Sequence, residues 1–129
     1  MRSNKPLTYR LLIWVERALQ LHVGALGRHL LGPGLYVYTG SARRNPRARL
    51  QRHLRRDKRL RWHIDYLLSQ PEVQVLDVEI WIAPECSVNR DTGGTVPIAG
   101  FGASDCVAGC ASHLRYLGAT PWGGTLSKR

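Results

Sequence analysis

Residues 73–83, VQVLDVEIWIA, alternate apolar and polar side chains, and this period of two constrains the fold more than any other feature of the chain. Leu76, Val78, Ile80 and Ile82 are predicted on one face, with Asp77, Glu79 and Trp81 on the other. Such a strand is stable only within a sheet whose apolar face is covered. Three further segments can supply its neighbours. LTYRLLIWV at 7–15 is rich in β-branched and aromatic residues, GLYVYTGSA at 34–42 sends Tyr36 and Tyr38 to a common face, and LQLHV at 19–23 alternates. Gly24, Gly27 and Gly32-Pro33-Gly34 punctuate the approach to the tyrosine strand.

Two helices are predicted between the tyrosine strand and residue 73. Asn45 is placed to cap the first and Pro46 to open it, and it runs to about Arg56. Leu50 and Leu54 mark its inner side, while Arg49, Arg52, His53 and Arg56 recur at i, i+3, i+4, i+7 as one cationic stripe. The second helix covers 58–69, turns Leu60, Ile64, Leu67 and Leu68 inward, and stops before Pro71. Residues 84–103 read as loop, a short helix opens at Ser104 or Asp105, and 118–129 read as a loose tail. The expected fold class is therefore mixed α/β (α+β), a small sheet flanked by helices. With 129 residues, 43% of them hydrophobic, and no internal repeat or linker, residues 1–129 are expected to form a single domain.

Charge narrows the partner. Lys and Arg number 19 against 9 for Asp and Glu, a formal net charge of +10. Residues 43–61 hold ten of those basic residues and a single acid, Asp57, and arginine, which grips phosphate through two parallel hydrogen bonds, dominates. A polyanion is the natural partner, with nucleic acid the commonest; a solvated basic surface or a membrane-surface patch is the alternative. Arg43, Arg44, Arg47, Arg52 and Arg56 are the expected phosphate contacts. No run of about 18 apolar residues is present, so no membrane span is expected. The polar start MRSNKPLTYR does not read as a secretory signal, and three cysteines argue against a disulfide framework, so a cytoplasmic location is expected.

YTG at 38–40, followed by SARRNPRARLQRH at 41–53, resembles the second half of the GIY-YIG nuclease signature. More closely, YVYTGSA, HIDYLL, Glu85-Cys86, and GFGASDC with SHL further on together resemble the Uri-type branch of that superfamily, a small family long labelled as a domain of unknown function. The resemblance covers nearly the whole chain and implies a small central antiparallel sheet with its two signature tyrosines on neighbouring strands. Tyr36 and Tyr38 lie on one strand, so the first tyrosine must come from upstream, as Tyr9, and the second is Tyr38. Leu7-Thr8 stand where Gly-Ile is usual and the two tyrosines are 29 residues apart, longer than the usual hairpin; the Uri-type branch is similar in both respects.

The resemblance further implies that Arg49, nine residues after Gly40, holds the scissile phosphate, with His53 one helical turn beyond. A fixed guanidinium offsets the charge that builds on the non-bridging oxygens, and an imidazole with an ordinary pKa of about 6.5 can exchange a proton with a phenol or water. It implies, too, that Glu85 holds a single hard divalent ion, Mg²⁺ or Mn²⁺, which takes one or two carboxylates plus substrate oxygens; Glu79 is the rival acid. Hydrolysis of a DNA phosphodiester by water is the implied reaction. Tyr9, or alternatively Tyr38, would be the general base or its relay, although a phenol with a pKa of about 10 needs nearby cations to act as one. Tyr36 is left outside the site.

Cys106 and Cys110, then His113, with Cys86 upstream, could assemble a structural Zn²⁺ site that braces the segment carrying Glu85. The spacing is not a strong zinc pattern, and cysteine is also among the most buried residue types. Asp105 and His113 could instead pair with each other. His63, on the WHIDYLL helix, either faces substrate or braces the fold, and the brace is the preferred reading. Trp14, Trp62, Trp81 and Trp122 could stack on unpaired bases or simply pack. Three functions follow as expectations: a metal-dependent endonuclease acting on duplex or branched DNA, in repair or processing of DNA structures; a nucleic-acid-binding module of the same fold that cleaves nothing; and a zinc-braced interaction domain.

Overall fold

A computed structural model of the chain describes residues 8–41, 51–54, 63–102, 110 and 112–118. In chain order these form β1 (Thr8–Val15), β2 (Leu19–His22), a 3₁₀ turn (Gly24–Leu26), β3 (Arg28–Leu31), β4 (Gly34–Ser41), a helical turn at 51–54 (α1), α2 (His63–Leu68), β5 (Val73–Trp81), α3 (Glu85–Thr92) and β6 (Leu114–Gly118). Four strands build an antiparallel sheet in the order β5-β1-β4-β6, and β2 and β3 pair as a separate hairpin. The expected mixed α/β class, with a small antiparallel sheet, holds.

Alternation along β1 decides which face is the core. Tyr9, Leu11, Ile13 and Val15 are all buried, and their register partners on β4 are Gly40, Tyr38, Tyr36 and Gly34. Directly opposed residues share a face, so Tyr36 and Tyr38 join the same side, as their spacing predicts. Ile64, Leu67 and Leu68 of α2 cover that side together with Leu19, Leu21, Leu31, Val73, Ile98, Phe101 and Leu114. Each such side chain stabilises the fold by about 1.5–3 kcal/mol.

The strand at 73–83 departs from its simple alternation. Leu12 opposes Asp77 while the next residue, Ile13, opposes Val75, which makes Leu76 the extra residue of a β-bulge. Val73 and Val75 face the core before the bulge and Val78 after it, so the strand is two segments of opposite phase. Leu76 is 44% exposed, and Ile80, although it opposes Tyr9, is 51% exposed; Ile82 beyond the strand is exposed as well. The single apolar face expected for Leu76, Val78, Ile80 and Ile82 does not exist.

Two elements lie where the sequence predicts none, α3 within the expected loop and β6 just before the expected tail. α3 occupies 85–92 within the expected loop; Glu85 in its first turn and Arg90 in its last suit the helix dipole, and Gly93, at φ 74°, ends it in a backbone conformation that glycine adopts without strain. β6 begins directly after His113 and pairs with β4, Leu114 with Tyr38 and Tyr116 with Tyr36. The predicted helix at Ser104 or Asp105 and the tail beyond residue 118 lie outside the described residues. α1 is also turned relative to expectation: Leu54, assigned inward, is 56% exposed, whereas His53, assigned to the outer stripe, is buried.

Candidate active site

The inward turn of α1 brings His53 onto β1. The Tyr9 hydroxyl and His53 Nε2 share a buried hydrogen bond of 2.6 Å. Tyr38 completes an aromatic cluster on the core face: its ring centroid lies 6.2 Å from that of Tyr9 and 6.3 Å from that of His53, and Tyr9 and His53 are 5.2 Å apart. Two phenols from adjacent strands and an imidazole from the following helix thus meet at one end of the sheet.

Two glycines permit this packing. A Cβ on Gly40, the register partner of Tyr9, would stand 2.5 Å from both Cζ and the hydroxyl oxygen of Tyr9, far inside van der Waals contact. The Tyr9 phenol lies flat across the strand at that point because nothing projects from it. Gly102, at φ +68°, plays the same part for Tyr38, whose Cε1 would be 2.9 Å from an added Cβ. The sequence pattern gives neither glycine a site role, although Gly40 is the glycine of YTG.

Arg52 has a different use from the phosphate contact expected of it. Its two terminal nitrogens grip both oxygens of Asp65, at 2.7 and 2.9 Å, and the Asp65 side chain is wholly buried. Fork-on-fork geometry of this kind fixes orientation as well as position. It ties α1 to α2 one residue away from His53. The outward-facing stripe is thereby corrected: His53 faces the interior, and the half-buried Arg52 turns onto Asp65. An acid on the apolar side of HIDYLL was the available signal for such an anchor.

α3 lies on the opposite face of the sheet, where Arg10 donates to Thr92 Oγ1 at 3.1 Å. Its first residue, Glu85, comes back to the Tyr9 end, since Ala83 accepts a 2.6 Å hydrogen bond from Thr8 Oγ1. Oε2 of Glu85 is 2.7 Å from Nδ1 of His113, with the histidine almost fully buried and the glutamate 30% exposed. The same nitrogen is 3.2 Å from the Thr39 carbonyl. On the other side of the ring, Nε2 lies 3.9 Å from the Cys86 sulfur, and one ligand atom each of Cys86, Cys110 and His113 lie within 4.8 Å of one another.

The family model described as a domain of unknown function, DUF123, matches residues 8–123. The chain belongs to the DUF123 family. No curated protein and no solved structure matches it. The matched span contains every residue placed in the DUF123 site above.

Within this DUF123 chain the structure joins Tyr9, Tyr38 and His53 directly, and places Glu85 at the same end of the sheet among His113, Cys86 and Cys110. Arg43, Arg44, Arg47, Arg49, Arg56 and Cys106 lie outside the described residues. Glu79, the rival acid, is on the exposed edge, bonded to Arg10 and to the Trp81 indole, and Arg10 also stacks on Trp81. The Tyr36 hydroxyl donates to the Gly32 carbonyl at 2.6 Å, and burial, then the neighbouring Tyr116, raises its pKa above the ordinary phenol value. His63 is a brace: its Nδ1 accepts the Gly102 N–H at 2.8 Å and its ring packs on Phe101. Burial lowers the His63 pKa, which keeps Nδ1 available as an acceptor.

Among the described residues no helix is long and apolar enough to cross a membrane.

Proposed function

We propose that this chain is a GIY-YIG-type endonuclease that hydrolyses phosphodiester bonds in DNA. The observation that carries the reading is the buried hydrogen bond between Tyr9 and His53 with Tyr38 beside it. A phenol held against an imidazole can pass its proton to Nε2 while its oxygen accepts one from an attacking water, which is general-base catalysis by relay. Tyr38 packs against both rings and holds them in register. Arg49, in the sequence position that the resemblance gives to the phosphate ligand, would offset charge on the non-bridging oxygens.

Glu85 fits a hard divalent ion by its donor chemistry: Oε2 is steadied by His113, and the carboxylate has a second oxygen to offer. Mg²⁺ or Mn²⁺ held there would draw negative charge from the phosphate, completing its shell with water and substrate oxygens.

A nucleic-acid-binding module without catalysis is the second reading, favoured by the near-complete burial of Tyr9 and His53. One experiment separates the two. The full chain is incubated with plasmid, branched and single-stranded DNA in Mg²⁺ or Mn²⁺, alongside Arg49→Ala and Glu85→Ala. Cleavage lost in both variants supports the nuclease. Cleavage that survives both removes the proposed site, and salt-sensitive binding without cleavage in any metal supports the binding module.

A further inference from the structure

We infer that Cys86, Cys110 and His113 hold a zinc ion, with Glu85 as the carboxylate behind the imidazole ligand. This goes beyond the nuclease reading and stands without it, because its three ligands, Cys86, Cys110 and His113, take no part in the proposed cleavage chemistry. Two ligands of a tetrahedral zinc at ordinary bond lengths stand about 3.6–3.8 Å apart. Cys86 Sγ and His113 Nε2 are 3.9 Å apart, and the three-residue set falls within 4.8 Å, so closing on an ion requires only small side-chain adjustments.

The tautomer is set for the task. Nδ1 of His113 faces two acceptors, the Glu85 carboxylate and the Thr39 carbonyl, so the proton belongs on Nδ1. Nε2 then carries a lone pair, 3.9 Å from the Cys86 sulfur. A carboxylate on the far nitrogen of a ligating histidine is the usual device for fixing ring orientation and raising basicity. Cys86 stands in the first turn of α3, where the helix dipole favours thiolate. The His113 backbone is fixed independently, its N–H donating to Phe101 at 2.8 Å and its carbonyl accepting from Thr39 at 3.0 Å. Two thiolates and an imidazole select zinc over the hard ions, and binding releases the two thiol protons to solvent.

The full chain, purified under reducing conditions without added metal or nucleic acid, should carry stoichiometric zinc by elemental analysis. After chelation, Co²⁺ titration of the wild type should produce thiolate-to-cobalt charge-transfer bands and the visible bands of a tetrahedral ion, bleached by one equivalent of Zn²⁺. Cys110→Ser should weaken the charge-transfer bands. Glu85→Gln, which preserves shape, should retain the cobalt spectrum while zinc affinity falls about 10–100-fold. Wild-type protein that takes up Co²⁺ without thiolate bands, or that contains a Cys86–Cys110 disulfide by mass, would overturn the site. Zinc affinity unchanged in Glu85→Gln would overturn the role of the carboxylate. All these readouts are blind to DNA cleavage, so their failure is distinguishable from failure of the nuclease reading.

Discussion

The hydroxyl of Tyr9 and Nε2 of His53 stand 2.6 Å apart in the interior, joined across 44 residues of sequence. If this pair moves a proton, Tyr9→Phe and His53→Ala should each lower the cleavage rate about 10²–10⁴-fold. The double variant should lose little more, because the two groups act as a unit. Tyr9→Phe leaves a buried imidazole nitrogen without its phenol, costing about 1–3 kcal/mol of stability, so melting curves are needed beside the rates. Full activity in a folded Tyr9→Phe protein would exclude the relay.

Gly40→Ala tests how closely the phenol is seated. With Cζ and the hydroxyl oxygen both 2.5 Å from the added carbon, the ring has to move, and a loss of about 1–3 kcal/mol is expected in urea titrations. Combining it with Tyr9→Phe should not restore stability, since Cζ clashes as badly as the oxygen. Unchanged stability would mean that Tyr9 does not lie across this strand.

Arg52→Ala should destabilise the fold by about 3–5 kcal/mol, because it takes a two-pronged guanidinium away from a buried carboxylate. Replacing both partners, as Arg52→Met with Asp65→Leu, should recover most of that loss. Equilibrium unfolding of the two single variants and the double variant measures this. A loss below about 1 kcal/mol in Arg52→Ala would show a solvated pair instead.

Stability should depend on pH through His63. Burial lowers its pKa in the folded chain, so the native state binds fewer protons than the unfolded state. The stabilisation is complete above the unfolded value of about 6.5 and is lost as pH falls from there through the folded value. The urea midpoint of the wild type should therefore drop on acidification faster than that of His63→Gln, whose amide does not titrate. Parallel curves for the two proteins would remove His63 as the cause.

Much of the scaffold was legible because its signals are local. β1 and β4 announce themselves by β-branched and aromatic residues, and placing the two signature tyrosines on different strands led to Tyr9 and Tyr38, which pack together. α3 gives no such signal, because ECSVNRDT buries only Val88 and Asn89 and so carries almost no apolar period. β6 is five residues long and is held by pairing with β4 and with Thr95, contacts that depend on tertiary structure. The orientation of α1 is hidden in the sequence for a related reason. Arginine and histidine look solvent-seeking until a buried carboxylate and a phenol are known to wait for them.

Leu76 has no counterpart on β1, yet its neighbours Val75 and Asp77 already oppose the consecutive residues Ile13 and Leu12. Excising Leu76 would therefore knit the ladder into regular pairing, whereas removing any residue nearer the middle of β1 would turn every later side chain over. The bulge thus marks a point on an edge strand of the sheet where a single-codon deletion is absorbed.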